Sequence, residues 1–209
     1  MAAAIAAALA ARGERVAAFK PAVTGTDEPG DARWPPDHEL LAAVTGQAPE
    51  AVSPHRFGPP VSPHLAAELA GAALDPGVLL SGARAAATGT DALVVEGIGG
   101  LLVPLTPGYL VRDLARDLAL PVVVAARAGL GTINHTLLTL EAARAVGLHV
   151  AAVVLTPWPA APGAMERSNQ ATIAALGAVE LATLPTLPDA APAGLAAAGE
   201  QLPLDPWLI

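Results

Sequence analysis

Two stretches of this chain repeat one pattern, in which a run of apolar residues ends abruptly at a turn that contains glycine. The first is DALVVEGIGGLLVP, which begins at Asp91, and the second is LPVVVAARAGLGTINHTLLTLEAARAVG, which begins at Leu120. Further continuous apolar runs begin at Arg15 (RVAAFK) and Leu148 (LHVAAVVLTPWP). Strands that are apolar on both faces and alternate with helices are typical of parallel sheets covered on both sides. The sequence therefore predicts a three-layer α/β fold with helices on both faces of a parallel sheet.

The intervening segments supply helices and loops. Residues 2–11 are almost all Ala, Ile and Leu, which favour a helix, whereas residues 21–36 are dense in Pro, Gly, Asp and Thr and predict a loop. Further helices are expected from Asp37 as an N-cap, in SPHLAAELAGAAL, from Asp75 or Pro76, and in GAMERSNQATIAALG, with a last strand in VELATLPTLP. Without an internal repeat or a linker, we expect residues 1–209 to form a single domain.

Composition excludes several classes of partner. The net charge is −8 and there is no run of Lys or Arg, so neither a nucleic acid nor an anionic membrane is an expected partner. The absence of cysteine excludes disulfides and thiolate metal sites. The opening MAAAIAAALAARGERV lacks the basic start of a signal peptide, and no stretch approaches the roughly 20 apolar residues of a membrane span. We expect a cytoplasmic protein.

Lys20 is the only lysine of the chain, and it lies between an apolar run and a proline. Its ammonium is a compact point charge with three donors, which suits a phosphate or a carboxylate. Thr24 and Gly25 follow in a loop with room for a ligand. The alternative is a lysine that extends to solvent, as most lysines do.

Glu96 directly follows the apolar run ALVV, where a carboxylate is costly to bury unless something pairs with it. The glycines of EGIGG allow a backbone to pass close to a ligand, and a carboxylate beside such a turn suits Mg²⁺. The alternative is a structural partner for an arginine or for a helix end. Asp37 is either an N-cap alone or a cap that also contacts the metal.

The turn GLGTINHT is suited to binding an anion at a helix start, where free N–H groups and the helix dipole favour negative charge. Simple capping by a hydroxyl or an amide is the alternative, and the spacing does not separate the two. Four residues form this candidate site: Gly129, Gly131, Thr132 and Asn134. Because Lys20, Glu96 and this turn each follow a predicted strand, we expect them to line one crevice. The histidines lack metal-ligand spacing, so no transition metal is expected.

Taken together, the motifs resemble those of dethiobiotin synthetases, ATP-dependent enzymes of biotin synthesis. The matching segments are FKPAVTG, DHELLA, SPHLAA, VVEGIGGLLVP, LPVVVAARAGLGTINHTLLT, GLHVAAVVL and LPLDPWL. They cover nearly the whole chain in the order of the family, and their combination is specific although each alone is weak. The resemblance implies a P-loop NTPase-like fold, a homodimer, and the ATP-dependent ring closure of 7,8-diaminononanoate with CO₂, with Mg²⁺ as the cofactor.

The resemblance also implies roles for individual residues. Lys20 matches the catalytic lysine that holds the carbamate and the γ-phosphate, and Thr24 matches the hydroxyl beside the diamine. Asp37 and Glu96 match the Mg²⁺ carboxylates. The phosphate-side loop corresponds to Glu96, Gly97, Ile98 and Gly99. The site for the far carboxylate of the substrate corresponds to Gly131, Thr132 and Asn134.

Two features depart from the family pattern. The family begins with a strand and a G-x-x-x-x-G-K-[ST] loop, and no such motif exists in this sequence, whose only lysine is followed by proline. We therefore expect the sequence to begin after that strand and loop, the domain being incomplete at its N-terminus. Thr156, followed by Pro157, stands where the family has an adenine-binding Asn. Pro185, Thr186 and Leu187 are then the remaining candidates for the adenine pocket.

Two other functions are compatible with these residues. The first is a non-catalytic relative that binds the diamine acid and has lost ATP. The second is an amidotransferase-type synthetase of the cobalamin pathway, but its glutaminase half would need a catalytic cysteine, and the chain has none. Because a non-catalytic module has no physical need for all four of Lys20, Thr24, Asp37 and Glu96, the ligase is the favoured hypothesis.

Overall fold

The fold is described from a computed structural model, which covers residues 1–31 and 33–208. Strands and helices alternate along most of the chain. The strands are β1 (Val16–Phe19), β2 (Ala92–Val95), β3 (Pro104–Thr106), β4 (Tyr109–Leu110), β5 (Val122–Ala126), β6 (Val150–Trp158) and β7 (Glu180–Pro185). The helices are α1 (Ala2–Ala11), α2 (Asp37–Thr45), α3 (Pro49–Val52), α4 (Pro63–Leu69), α5 (Pro76–Ala86), α6 (Val111–Leu118), α7 (Thr132–Arg144), α8 (Ala164–Gly177) and α9 (Pro192–Gly199), followed by a 3₁₀ turn at Asp205–Trp207.

The apolar strands pair in parallel, as the sequence predicts, but they form two sheets rather than one. β1 pairs with β2, and β5, β6 and β7 pair in that order. Within the described residues, β2 and β5 each have a strand neighbour on one side only. Which strands become neighbours depends on long-range packing, so an apolar run in the sequence predicts a strand without identifying its partner.

Helix α1 covers a face of both sheets. Every residue from Ala2 to Leu9 is buried, and this helix packs into the main core with side chains of β1, β6 and β7, with Val94 and Val123 at its margin. A helix that is apolar on all sides is stable only when it is enclosed. Alanine, with its small side chain, lets α1 contact α2 and α9 closely as well as the sheets. The Ala-rich start of the chain is therefore the centre of the core.

Two smaller cores lie elsewhere. One joins α4, α5, α6 and β3 around the buried Leu79, Leu105 and Leu114. The other packs α7 and α8 against the three-stranded sheet around Leu140 and Ile173. Among the described residues, no helix has both the length and the apolar composition that crossing a membrane requires.

The structure corrects one predicted helix start and adds elements that the pattern does not predict. Asp37 is the first residue of α2 rather than its N-cap, a position that Pro36 takes, and its carboxylate makes no capping bond. Asp75, by contrast, is the N-cap of α5 and accepts from the amide of Val78. Helices α3, α6 and α9 and the β3–β4 hairpin are additions, and all of them are short.

Candidate active site

Backbone hydrogen bonds fix Lys20 where β1 ends. Its amide donates to the carbonyl of Val52 at 2.8 Å, and the amide of Glu96 donates to the carbonyl of Phe19 at 2.9 Å. The second bond continues the parallel pairing of β1 with β2 by one residue, since Phe19 is paired with Val95. Lys20 and Glu96 are therefore the residues that directly follow two adjacent parallel strands, and they lie at the same end of the sheet, as the sequence predicts.

The Lys20 side chain is buried and points into a group of oxygen atoms. Its Nζ lies 2.9 Å from Oδ2 of Asp37 and 3.7 Å from Oε1 of Glu96, and it donates to the carbonyl of Gly97 at 3.2 Å. Only 5% of the lysine side chain is exposed. A buried ammonium is tolerated because opposite charge and hydrogen bonds replace its water. The alternative interpretation of the sequence, in which the Lys20 side chain extends to solvent, is therefore wrong.

The partly buried position of Glu96 changes its acidity. Burial raises the pKa of Glu96, and the nearby negative charge of Asp37 acts in the same direction, while the positive charge of Lys20 opposes both. The pKa of a carboxylate rises in this way when the group is buried away from water and nearby positive charge does not fully compensate for the lost hydration. One ammonium therefore lies between two carboxylates, and the α-amino group of Met1 also acts electrostatically on Glu96.

The loop after Glu96 is shaped by its glycines. A Cβ at Gly97 would lie 2.9 Å from Cγ1 of Val111, which is too close for an ordinary contact, and Gly99 has a φ of +64°. Both positions require glycine, one because the chain passes close to α6 and the other because of its left-handed conformation. The loop turns so that the Gly97 carbonyl meets the Lys20 ammonium.

The segment after Lys20 is held on its neighbour by backbone bonds. The amide of Val23 donates to the carbonyl of His55 at 2.8 Å, and that of Gly25 donates to the carbonyl of Pro59 at 3.1 Å. Thr24 lies between them and is partly exposed. Its hydroxyl is therefore carried on a fixed backbone near the strand end, as expected for a residue beside a bound ligand.

The glycine-containing turn before α7 is tied to α8. Asn169 is buried, and its Nδ2 donates to the carbonyls of Ala128 at 2.9 Å and Gly129 at 3.3 Å. Gly131 follows with a φ of +88° and is the N-cap of α7. Asn134 is exposed, whereas Thr132 is buried. Neither side chain caps the helix, so the capping alternative is wrong.

The two candidate adenine segments lie side by side. β6 extends through Thr156 to Trp158, which pairs with Pro185 at the end of β7, and the amide of Thr186 donates to the carbonyl of Trp158 at 3.2 Å. Leu187 is partly buried and packs on the main core. The geometry brings together Trp158 and Pro185, which are 27 positions apart in the sequence.

In the part of the chain that the structure describes, the cluster around Lys20 and the turn before α7 are not bonded to each other, and the expectation that they line one crevice stays a prediction. Lys20, Asp37 and Glu96 form one cluster, but among the described residues no hydrogen bond or ion pair connects them to the turn before α7. Two side chains that the motifs did not single out belong to that turn: Asn169, which fixes its backbone, and Arg127, which directly follows β5. The position of Arg127 right after an apolar strand, like that of Lys20, is the signal that could have identified it.

Comparison with known proteins agrees with this architecture. A family model described as an AAA domain matches residues 1–193. Three relatives carry the name ATP-dependent dethiobiotin synthetase BioD. The protein of a species of Anaeromyxobacter is 48% identical over 66% of this chain and 60% of its own length. The protein of Anaeromyxobacter dehalogenans is 45% identical over 83% of this chain and 77% of its own length. The protein of Rhodococcus erythropolis is 40% identical over 81% of this chain and 74% of its own length.

The extent of these matches defines what they establish. The chain spans 60% of the first relative's length and about three quarters of the other two. Identity of 40% or more across most of this chain exceeds what a shared fold alone would give, and the residues that the family model matches include the cluster around Lys20. The chain therefore belongs to the dethiobiotin synthetase family, whose members are ligases.

Proposed function

We propose that this protein catalyses the ATP-dependent closure of the ureido ring of dethiobiotin from 7,8-diaminononanoate and CO₂, a step of biotin biosynthesis. The observation that carries this proposal is the buried ammonium of Lys20, which lies within 3.7 Å of two carboxylates at the end of adjacent parallel strands. A buried cation surrounded by oxygen atoms is suited to exchange these partners for anionic groups of a substrate. We propose that residues 1–209 belong to a single domain.

The proposed reaction has three steps. One amine of the substrate adds to CO₂ and loses a proton, which gives a carbamate. A carbamate oxygen then attacks the γ-phosphorus of ATP, which forms a mixed carbamic–phosphoric anhydride and releases ADP. The second amine attacks the carbonyl carbon, the C–O bond to phosphate breaks, and inorganic phosphate leaves as the ring closes. Each intermediate is anionic, so the protein has to supply fixed positive charge.

Lys20 supplies that charge in this mechanism. Its ammonium neutralises the carbamate and then the transferring phosphoryl group as negative charge develops. A point charge with three donors can turn from the Asp37 and Glu96 carboxylates to a substrate oxygen without leaving the site. Burial strengthens the interaction, because the surrounding dielectric is lower than that of water. Thr24, at the start of the neighbouring loop, would contact the diamine.

The donor set around Lys20 also fits Mg²⁺. Two carboxylates and a backbone carbonyl converge here, and all three are oxygen donors of the kind that this ion prefers. Asp37 and Glu96 would hold the ion together with phosphate oxygens of the nucleotide. When bound, Mg²⁺ would neutralise phosphate charge during transfer.

The remaining site residues divide between nucleotide and substrate. The loop from Glu96 through Gly97 and Ile98 to Gly99 would follow the phosphates, and Thr156 with Pro185, Thr186 and Leu187 would contact the adenine. The pairing of Trp158 with Pro185 supports a shared pocket for the latter group.

The substrate's far carboxylate would lie at the start of α7, on Gly131, Thr132 and Asn134. We propose that a homodimer completes this site. Leu130 is 90% exposed and Leu138 is 55% exposed, so the start and middle of α7 present apolar side chains to solvent. In this proposal, these two leucines belong to the surface that the second copy covers. Because the reaction consumes ATP and produces a metabolite, we place it in the cytoplasm.

The test is the formation of dethiobiotin from 7,8-diaminononanoate, bicarbonate and MgATP, measured together with ADP release. We expect product and ADP in equal amounts, and neither from a Lys20→Gln variant. Binding of the diamine without ADP release in the unmodified protein would contradict the ligase and favour the non-catalytic relative. Product formation that is unchanged in Lys20→Gln would contradict the role of the lysine.

A further inference from the structure

We propose that Gln47 is a positioning residue for Lys20, an inference whose catalytic part rests on the proposed function of that lysine. Gln47 directly follows Gly46, the C-cap of α2, and its side chain contacts the backbone of β1. The amide of Ala18 donates to Oε1 of Gln47 at 2.7 Å, and Nε2 of Gln47 donates to the carbonyl of Ala18 at 3.2 Å. Ala18 lies two residues before Lys20, so these bonds hold the strand close to the residue that carries the ammonium.

The Gln47 side chain takes the place of a neighbouring strand. On its other edge, β1 pairs with β2, where the carbonyl of Phe19 accepts from the amide of Glu96. Successive residues of a parallel strand direct their backbone groups to opposite edges, so Ala18 faces away from β2. Within the described residues, no strand pairs with β1 on that side. Ala18 is 0% exposed, so its N–H and C=O need partners within the protein, and the primary amide of Gln47 provides both an acceptor and a donor.

The same edge of β1 is anchored a second time at Lys20 itself, whose amide donates to the carbonyl of Val52 at 2.8 Å. Ala18 and Lys20 are two residues apart along the chain, so their backbone groups face the same edge. Residues 47–52 therefore replace a strand at two points, once through a side-chain amide and once through a carbonyl. Loss of the Gln47 bonds would leave the Val52 carbonyl to hold this edge next to the active site.

Gln47 also connects Lys20 to its nearer carboxylate partner. Asp37 is the first residue of α2, and its Oδ2 lies 2.9 Å from Nζ of Lys20. Helix α2 is therefore attached to β1 at its start through the ion pair and just after its end through Gln47. Because the second attachment fixes α2 along the strand, its loss would let the ammonium and the carboxylate shift relative to a bound substrate. A shift of about 1 Å in a catalytic group can cost about a hundredfold in rate.

The two bonds require a group that accepts and donates at the same time. Gln47→Met keeps the approximate length of the side chain and removes both bonds. In Gln47→Glu, an ionised carboxylate accepts from the Ala18 amide but has no hydrogen for the Ala18 carbonyl, whereas a protonated carboxyl has both a donor and an acceptor. Folding therefore raises the pKa of the introduced carboxyl. The stability of this variant should approach that of the unmodified protein below about pH 4 and fall as the pH rises through the raised pKa.

Hydrogen exchange tests the positioning of Lys20 without turnover. Lys20 is the only lysine, so the chain labelled with α-¹⁵N-lysine gives one backbone amide signal in an NMR spectrum. We expect this amide to exchange about tenfold faster in Gln47→Met, beyond the change in global stability that urea unfolding measures. The control is Ile173→Val, which weakens the core between α7 and α8 and should change the exchange only by its effect on global stability. Gln47→Asn, whose amide is one methylene shorter, serves in the same measurements if Gln47→Met does not fold.

Kinetics of the same variants tests the effect on catalysis. We expect kcat for dethiobiotin formation to fall about tenfold in Gln47→Met, with the KM of the diamine within threefold, whereas Ile173→Val should keep kcat within twofold. Three results would overturn the proposal: exchange of the Lys20 amide that follows global stability alone, an unchanged kcat in Gln47→Met, or a stability deficit of Gln47→Glu that is the same at about pH 7 and about pH 4. If the unmodified protein forms no dethiobiotin, the ligase is wrong, and the exchange and pH results still decide whether Gln47 positions Lys20.

Discussion

The ammonium of Lys20 and the carboxylate of Asp37 lie 2.9 Å apart, but their exposure differs sharply: 5% for the lysine side chain and 57% for the aspartate. Asp37 is the first residue of α2, so the ion pair connects the end of β1 to a helix start. The lysine is fixed by burial, whereas the aspartate contacts it from the solvent side. A ligand that enters from solvent would therefore displace the Asp37 carboxylate more easily than the lysine.

Removal of the exposed partner gives the first prediction. Asp37→Asn keeps the size of the side chain but removes the negative charge, and an amide oxygen is a poorer ligand than a carboxylate for a hard cation. We expect the Mg²⁺ concentration for half-maximal dethiobiotin formation to rise at least several-fold, and the melting temperature to fall as well, because the buried Lys20 ammonium loses its nearer carboxylate partner. Glu39→Gln, which changes an exposed carboxylate in the same helix turn, is the control. An unchanged Mg²⁺ requirement in Asp37→Asn would exclude it as a ligand.

Gly97→Ala should disturb the loop that contacts Lys20. The added Cβ would lie 2.9 Å from Cγ1 of Val111, so the loop or α6 has to move and the Gly97 carbonyl shifts away from the ammonium. We expect a clear loss of kcat. Gly100→Ala is a matched control in the same loop, because no atom lies within 4 Å of its added Cβ.

A second substitution makes this prediction sharper. Val111→Ala removes the methyl group that the new Cβ would meet, so the Gly97→Ala/Val111→Ala double variant should recover part of the lost kcat. Recovery identifies steric displacement as the cause. A double variant that is as inactive as Gly97→Ala alone would indicate that Gly97 is required for another reason.

Asn169→Ala should destabilise the turn before α7. The amide of Asn169 donates to two carbonyls of that turn, and its loss removes the donor of the buried Ala128 carbonyl, whereas the Gly129 carbonyl still accepts from the amide of Thr132. Such a loss costs about 1–3 kcal/mol in the free energy of unfolding. If the turn binds the substrate carboxylate, the KM for the diamine should also rise more than kcat falls. Ser168→Ala, at the exposed neighbouring position of α8, is expected to change neither quantity.

The contact between Asp91 and Arg15 should give the protein part of its pH dependence. The hydrogen bonds from the Arg15 side chain, and then from its backbone amide, lower the pKa of Asp91 from 3.8 to about 2. A carboxyl whose pKa is lowered on folding stabilises the native state above the unfolded pKa and loses that effect as the pH falls through the folded value. The stabilisation of the native state by the Asp91 carboxylate is therefore complete above about pH 4 and declines between pH 4 and pH 2.

Urea unfolding at a series of pH values measures this effect. Asp91→Asn should be less stable than the unmodified protein at pH 7, and the difference should narrow as the pH falls below 4. Glu200→Gln, which removes an exposed carboxylate, should follow the curve of the unmodified protein at every pH. A constant difference between Asp91→Asn and the unmodified protein would contradict the assignment of the pKa change to this carboxyl.

The sequence predicts the Lys20 cluster well because its signals are local. Lys20 and Glu96 each interrupt a run of apolar residues at its end, and a charge at that position has to find a partner. Asp37 is predicted as a cap because its own neighbours favour that role, whereas its actual contact, with Lys20, is made across the fold. Helix α6 was not predicted because VRDLARDL is short and half charged, and it buries a single residue, Leu114.

Longer-range features could not be derived from patterns. The division of the strands into two sheets depends on which edges meet, and each edge has the same apolar composition. The bonds from Asn169 to the turn before α7 connect residues 40 and 41 positions apart. Nothing in the local sequence of α8 separates Asn169 from the other polar residues of that helix, because only burial distinguishes it.

Lys20→Arg tests whether positive charge alone is sufficient at the centre of the site. Arginine keeps the charge, but its planar guanidinium needs more space than an ammonium that is 5% exposed between Asp37, Glu96 and Gly97. The point charge then no longer reaches the place where negative charge develops in the transition state. We expect a loss in kcat on the order of a hundredfold or more, similar to the loss of one transition-state donor in other enzymes.

Lys20→Gln should be at least as inactive and also less stable than Lys20→Arg. Without a cation, the carboxylates of Asp37 and Glu96 repel each other, and Glu96 is partly buried. The two variants therefore separate catalysis from folding when kcat and melting temperature are measured for both. A Lys20→Arg enzyme with nearly full kcat would mean that the charge is sufficient in any geometry. If Lys20→Arg melts far below the unmodified protein and its folded fraction has normal kcat, the role of the lysine is structural.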